Sequence, residues 1–389
     1  MNKLRVDIKQ KTECSGCTAC SNVCPTQAIT MKPDELGFVY PVIDEAKCIN
    51  CGKCFSICPF SSKYNKNSID GFPKVFAARM VKPELLLQSQ SGGVFSAVAN
   101  AFIEEGGIVY GASYDEHFLV RHIRVTSIKD LDCLKGSKYI QSNLINVFNQ
   151  VQTDLDDGKK VLFSGTSCQI LGLKAAIKKK NRENLFTIDI LCYGVASPKV
   201  WNEYLKYLEH KYHNKLNYVN MRDKRDGWKG AKETYKFQNG KSIKRNTFLH
   251  LYMANVMNRD CCYSCPFTNL TRVGDISLGD FWNWKNTSHT EFRDNKGISL
   301  TIINNRKGEE LFRKASDSLY IIESNTKECL QDVLEKSAIR NSNCESFRTC
   351  FVKKGFKSVG EKYADLKLSY RIHVALSGLK YKIINSFNK

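Results

Sequence analysis

Beyond residue 73 the apolar positions of this 389-residue chain fall into short runs whose period keeps changing. Val75-Phe76-Ala77-Ala78-Arg79 has the length and composition of a strand. Val94, Phe95, Val98 and Phe102 then recur at helical spacing, and Gly106-Gly107 stops them. Ile108 to Gly111 and Val120 to Val125 read as strands, and Lys160-Val161-Leu162-Phe163 as a strand of the fully buried kind. Leu185 to Leu191 is another. Ser197-Pro198 opens a helix, with Pro at its first position and a stripe of Val200, Trp201, Tyr204, Leu205 and Leu208. Strands alternating with helices predict an α/β core with a partly parallel sheet. After residue 214 the pattern turns strand-rich: Leu216 to Met221, Glu233 to Phe237, Asp275 to Trp282 and Gly297 to Ile303, with one helix over Phe248–Met257.

The first 64 residues follow another plan. A short strand is expected within residues 1–13, and Ala28 to Met31 with Gly37 to Pro41 make a small hairpin. Residues 61–74 are polar and turn-rich, which suits a linker. At the other end, Leu368, Ile372, Leu376, Leu379, Ile383 and Phe387 recur at helical spacing among Lys367, Arg371, Lys380 and Lys382. Such a basic amphipathic helix either docks on its own domain or lies on an anionic membrane surface. The expected divisions are 1–64, 73–155, 156–340 and a basic helical tail over 341–389.

The strongest chemical signal lies between Cys14 and Pro59. Cys14-x-x-Cys17-x-x-Cys20-x-x-x-Cys24-Pro25 is repeated as Cys48-x-x-Cys51-x-x-Cys54-x-x-x-Cys58-Pro59. Zinc ribbons use paired Cys-x-x-Cys, not a four-cysteine run given twice. This spacing is that of two 4Fe–4S clusters, in which the fourth cysteine of each run ligates the other cluster. Cys14, Cys17, Cys20 and Cys58 are therefore assigned to one cluster, and Cys24, Cys48, Cys51 and Cys54 to the second. Residues 8–62 resemble a bacterial two-cluster ferredoxin domain.

Composition narrows the setting. The chain is 42% hydrophobic and 25% charged, as expected of a globular protein. No run of about 18 apolar residues predicts a membrane span. Seventeen cysteines without an apolar leader after Met1 point to a reducing compartment, and the cytoplasm is the expected location. The net charge is +20; residues 1–64 carry 8 Lys/Arg against 6 Asp/Glu, so +18 lies beyond them. A Lys-rich solvated surface accounts for that field, and it also favours acidic partners. With no interleaved stacking aromatics and no basic fold signature, nucleic acid is not an expected partner.

Three further cysteine segments stand in the second half. Cys168 follows a strand where a helix begins, Cys192 ends the next strand, and Cys262-x-x-Cys265 sits in a loop. Ligands of open α/β sheets gather at the carboxyl ends of strands, so these four thiols can converge there. A third 4Fe–4S cluster, a zinc ion or inert buried thiols all fit that set. Ser91-Gly92-Gly93 before a helix offers backbone N–H groups to a phosphate or ring edge, and Gly165-Thr166-Ser167 has the same form. Arg222, Lys224, Arg225 and Trp228 form a basic-aromatic patch, and Asp275 and Asp280 flank an apolar strand.

Taken together, Gln88 to Ala97, Gly165-Thr166-Ser167-Cys168-Gln169-Ile170-x-Gly172-Leu173, Cys192-Tyr193-Gly194-Val195-x-Ser197-Pro198, Arg259-x-x-Cys262-x-x-Cys265 and Asp275 to Trp282 resemble the beta subunit of the coenzyme F420 hydrogenase/dehydrogenase family, over about residues 73–340. Ser167 and Tyr193 stand where that family usually has Pro and His. The resemblance implies FAD and a third 4Fe–4S cluster, with Cys168, Cys192, Cys262 and Cys265 as its ligands. Ser91, Gly92, Gly93, Thr166, Gln169, Arg225 and Asp280 are the expected flavin contacts, and no catalytic residue is assigned.

The fold expected is α+β: a small ferredoxin domain followed by a larger α/β flavin-binding domain with a mixed sheet. The function expected is an oxidoreductase passing electrons from two ferredoxin-type clusters through a third to FAD and a small-molecule acceptor, fed by a redox partner protein or ferredoxin. The alternative is an electron-transfer subunit serving a partner oxidoreductase without a substrate of its own.

Overall fold

The computed structural model describes residues 5–6, 10–60 and 73–367. The linker expected over 61–74 lies mostly outside these residues, as does the amphipathic stripe from Leu368 onward.

In the N-terminal module, β1 (Ile29–Pro33) and β2 (Val39–Ile43) pair antiparallel, with Ile29 opposite Ile43 and Pro33 opposite Val39. Asp34 makes the turn: its carboxylate accepts the N–H groups of Leu36 and Phe38 at 3.0 and 2.9 Å. Ala19–Asn22 and Lys53–Ser56 are single helical turns, one after each Cys-x-x-Cys. Their first residues follow Thr18 and Gly52, both with left-handed backbone, so the two halves repeat in conformation as well as in sequence. The short strand expected before Cys14 is not found where the chain is described. Lys11–Glu13 is instead a 3-10 turn, closed by a reciprocal capping pair between Gln10 and Glu13.

The larger module contains β3 (Lys74–Met80), β4 (Ile108–Tyr114), β5 (Val120–Val125), β6 (Val161–Thr166), β7 (Leu185–Ile190), β8 (Leu216–Asp223), β9 (Lys232–Phe237), β10 (Ser242–Arg245), β11 (Ile276–Asp280), β12 (Ser299–Ile303) and β13 (Leu319–Ser324). Eight of these form one sheet in the order β13-β3-β12-β11-β7-β6-β4-β5. Its centre, β4-β6-β7-β11, is parallel, and both flanks are antiparallel. The two expected parts of this module, 73–155 and 156–340, share the sheet: β4 of the first pairs with β6 of the second.

Both faces of the parallel strands are apolar, as strands buried on two sides require. Leu162, Ile188, Ile276 and Leu278 meet Val94, Val98 and Phe102 of the helix Val94–Glu104 on one face. On the other, Val161, Phe163 and Leu185 meet Phe148 of Val147–Asp156 and Ile170 and Leu173 of Ser167–Ala176. A second sheet, β10-β9-β8, encloses another core with the helices Pro198–Tyr212, Thr247–Met253 and Cys344–Tyr363. Trp201 and Tyr204 lie at its centre, each side chain stabilising the fold by roughly 1.5–3 kcal/mol through burial. The helix expected over Phe248–Met257 is shorter, and the described part of the basic tail, Cys344–Tyr363, packs Phe347, Phe351 and Phe356 into this core.

The two modules interlock. Ser197 caps the helix Pro198–Tyr212 by accepting the Val200 N–H at 3.0 Å, while its own hydroxyl donates to the Leu36 carbonyl at 2.6 Å. No helix among the described residues is long and apolar enough to cross a membrane.

Candidate functional site

The eight N-terminal cysteines form two hollows. One is lined by Cys14, Cys17, Cys20 and Cys58, the other by Cys24, Cys48, Cys51 and Cys54. The fourth cysteine of each run thus stands with the first three of the other. Burial pushes the Cys17 thiol up to about 12 and Cys20 well above its ordinary value. The second hollow is more open: Cys51 is exposed, and Cys24 Sγ accepts the Ala28 N–H at 3.3 Å. Cys20 and Cys54 share one small apolar cluster with Val6 and Ile29, so the hollows are neighbours.

The first, inner hollow faces the large sheet. A Cβ on Gly172 would lie 2.7 Å from Cys17 Sγ, so the helix Ser167–Ala176 rests directly on this thiol. Phe60, just past Cys58-Pro59, meets Phe267, just past Cys265-Pro266, edge to face at 5.9 Å. Arg259 is fully buried: its Nε donates to the Cys14 carbonyl at 2.7 Å, Nη1 to Gln141 Oε1 at 2.8 Å and Nη2 to the Val39 carbonyl at 2.9 Å.

The four candidate cysteines of the larger module gather at the carboxyl edge of the sheet. Cys168 is two residues past the end of β6, where Thr166 and Gln169 form a capping box. Cys192 follows Leu191, whose N–H donates to the Leu278 carbonyl, 2.8 Å away, so Cys192 and Asp280 leave the sheet side by side. Cys262 and Cys265 come from the turn at Asp260–Ser264. Cys192, Cys262 and Cys265 all lie close enough to Cys168 that their charge would raise its pKa, which burial already holds high. Cys192 is pushed up to about 12 by burial, and the Gly194 N–H points to its sulfur at 3.3 Å. Cys261 is buried beside Cys262 and hydrogen-bonded to it. Behind the set, Arg272 donates to Asp189 Oδ2 at 2.9 Å and to Ser167 Oγ at 2.8 Å, a fully buried ion pair.

The third region lies at the ends of β3, β8 and β11. Lys224 is buried, and its Nζ donates to the Ser91 carbonyl at 2.6 Å; Gln90 Nε2 donates to the Arg222 carbonyl at 2.7 Å. Asp280 accepts from Arg222 and, at 2.8 Å, from Trp228 Nε1. Trp228 and Trp282 stack at 4.4 Å, with Arg222 over the Trp282 ring. Arg225 is held instead by its neighbour Asp223, at 2.7 Å from Nε.

Two expected flavin groups have other duties here. The N–H of Gly92 donates to Ser299 Oγ and that of Gly93 to the Gln90 carbonyl, so neither is bare. Gly92 is glycine because a Cβ would sit 2.1 Å from the Ala78 carbonyl on β3. Gln169 and Thr166 are mutually bonded in the cap. Sequence reasoning missed Tyr139 and Tyr252, stacked at 4.7 Å between this basin and the third cysteine set. Tyr252 donates to the Gly194 carbonyl at 3.1 Å, and no motif or periodicity marked either ring. Arg259 stood in a quoted motif, three residues before Cys262, but its reach to Cys14 is a property of the assembled fold.

Comparison with known proteins finds similarity in both modules. Residues 158–328 match the family described as coenzyme F420 hydrogenase/dehydrogenase, at the C terminus of its beta subunit. That stretch is thus similar to the C-terminal part of this family's beta subunits. Residues 13–62 match a 4Fe–4S dicluster domain, which fits the paired hollows. Among similar proteins, the F subunit of the F420H2 dehydrogenase from Methanosarcina mazei is 23% identical over 293 residues, covering 71% of this chain and 79% of that one. An uncharacterized protein of Methanocaldococcus jannaschii is 26% identical over 363 residues, covering 82% and 91%. A chain of the F420-reducing [NiFe] hydrogenase complex from Methanosarcina barkeri aligns at 17% identity with a TM-score of 0.46, over 75% of this chain and 91% of that one.

Proposed function

We propose that this protein is an iron–sulfur oxidoreductase subunit that carries single electrons along three thiol-held 4Fe–4S sites to a flavin and a small acceptor. The observation that carries this reading is a chain of contacts: the two N-terminal hollows are neighbours, Gly172 of the helix that bears Cys168 rests on Cys17, and the stacked Tyr139 and Tyr252 stand between the third cysteine set and the Arg222–Asp280 basin.

The residues suit the groups. Buried thiols are poor thiolates alone, and a bound metal deprotonates them outright. Buried charges need a partner, and among the described residues the guanidinium of Arg259 donates to neutral oxygens and to Cys14 Sγ, so an anionic cluster beside Cys14 would complete it. Cys14, Cys17, Cys20 and Cys58 would hold the inner cluster, and Cys24, Cys48, Cys51 and Cys54 the outer one. Cys168, Cys192, Cys262 and Cys265 would hold the third. Clusters so held supply one-electron chemistry, and a flavin couples single electrons to a two-electron acceptor.

For the flavin, FAD by family likeness, the basin offers a buried lysine whose bond among the described residues is to a carbonyl, a Gln90 Oε1 without a partner among those residues, and two stacked indoles. That set suits an anionic group next to a flat ring. Lys224 and Arg222 would hold charge, Trp282 would cover the ring, and Asp280 would fix Arg222 and Trp228. Ser91, Gly92 and Gly93 would shape the floor, Thr166 and Gln169 the start of the cysteine-bearing helix, and Arg225 the rim.

Anaerobic purification tests the reading. It predicts about 12 Fe per chain with one bound flavin, identified by absorbance and mass spectrometry; a colourless, zinc-loaded chain overturns it. The named relative is itself one subunit of a dehydrogenase, which favours a second reading, electron transfer to a partner enzyme. A stoichiometric partner in an anaerobic pull-down, with no activity of the isolated chain towards small acceptors, supports that version.

A further inference from the structure

Arg259 is an unusual buried cation. It contacts both modules: Cys14 and Val39 of one, Gln141 and the backbone leading to Cys262 of the other. Its guanidinium lies 4.2 Å from the centre of the Tyr40 ring. Every strong hydrogen bond it makes goes to a neutral oxygen. Its remaining contact, from Nη2, is to Cys14 Sγ at 3.6 Å. The cations lining or flanking the outer hollow differ. Arg5 is neutralised by a two-armed pair with Glu45 at 2.8 and 2.6 Å, and Lys53 is exposed to water.

We propose that Arg259 sets the electron affinity of the inner site above that of the outer one, so that electrons entering at the outer cysteines settle beside the third set. The inference rests on the reading that these thiols hold 4Fe–4S clusters. Reduction adds one electron and one unit of negative charge to a cluster, with no bond made or broken. A desolvated positive charge within hydrogen-bond reach of a ligand sulfur stabilises that added charge, and screening is weak in a dry site. A cation already paired to a carboxylate, or solvated at the surface, does so far less. Arg259 is thus a positioning and tuning residue; it does not touch the acceptor.

The test is a redox titration of the full chain, purified anaerobically and followed by low-temperature EPR, with the inner signal identified by its loss in Cys58→Ser. Arg259→Met should lower the inner reduced-to-oxidised ratio at fixed potential at least tenfold, a 59 mV drop for a one-electron couple, and leave the outer midpoint in place. Arg259→Lys keeps the charge and should bring most of the shift back. Inner midpoints that stay at the wild-type value in loaded variants overturn the inference. If Arg259→Met does not assemble, wild-type protein labelled with guanidino-15N arginine is examined by pulsed EPR. A nitrogen coupling in the reduced inner cluster supports the contact, and its absence refutes it. A wild-type chain devoid of iron defeats the underlying reading and this inference together, whereas a loaded chain with unmoved midpoints defeats the inference alone.

Discussion

Gly172 and Cys17 touch across the boundary between the two modules, so closely that a methyl group on Gly172 would lie 2.7 Å from the thiol sulfur and 2.9 Å from its Cβ. Gly172 lies within the helix Ser167–Ala176, which begins beside Cys168. One turn of helix therefore serves the inner and the third cysteine sets at once.

Gly172→Ala should force the modules apart or displace Cys17. Overpacking of this kind costs about 1–3 kcal/mol. The expected result is a lowered melting temperature in the anaerobic protein, together with loss of inner-site iron and retention of the outer signal. A variant as stable and as fully loaded as wild type would show that the contact is soft.

The crossed ligand assignment is separable by single substitutions. Cys58→Ser should remove the signal of the site shared with Cys14, Cys17 and Cys20, and Cys24→Ser that of the site shared with Cys48, Cys51 and Cys54. Each should cost about 4 Fe per chain, counted by iron assay and assigned by EPR. Were Cys58→Ser to abolish the signal that Cys48→Ser also abolishes, the crossing would be wrong.

Asp189 and Arg272 form a fully buried pair behind the third cysteine set. Asp189→Asn leaves the guanidinium uncompensated and should destabilise the fold by about 3–5 kcal/mol, read as a shift in denaturation midpoint. Joint replacement by Leu and Met should recover much of that loss, since two apolar side chains leave no charge buried.

Glu233 gives a pH signature. Burial among Tyr204, Tyr235 and the Leu249 N–H raises its carboxyl from the ordinary 4.5 to about 7. The folded chain therefore binds the proton more tightly than the unfolded one. The stabilisation is complete below pH 4.5 and is lost as pH rises through about 7, up to about 3 kcal/mol at roughly 1.4 kcal/mol per unit. Glu233→Gln should remove this dependence and be the more stable form at pH 8, by urea unfolding. His122 runs the other way: burial lowers it from 6.5 to about 4, so its contribution is complete above pH 6.5 and fades as pH falls towards 4. The two slopes oppose each other between pH 4.5 and 6.5, and Glu233→Gln exposes the histidine slope alone.

Local chemistry was readable where a single segment carries it. The cysteine spacing carried the two hollows, the alternation of strands and helices carried the parallel centre, and the strand-end position of Cys168 and Cys192 placed the third set at the carboxyl edge. What escaped depends on long-range juxtaposition. Gly92 looks like a phosphate-binding glycine in sequence, yet β3 passes so near that only glycine fits. Arg225 and Arg222 are equivalent as letters, but Asp223 captures one and Asp280 the other. Tyr139 and Tyr252 are separated by more than a hundred residues, and their stacking follows from the way the second sheet and its helices fold against the first. The antiparallel flank formed by β13 and the 3-10 turn before Cys14 had no distinctive periodicity to betray them.

The seating of the inner cysteines on Gly172 and Arg259 has a consequence for biosynthesis. Cys58 leaves the ribosome about 200 residues ahead of Arg259, a delay of roughly 10–40 s at 5–20 residues per second. During that interval the ferredoxin module exists without the surface that later covers its inner thiols. Were iron delivered in that window, both N-terminal sites would be open to it, whereas the docked surface at Gly172 and Arg259 would restrict access to the inner one.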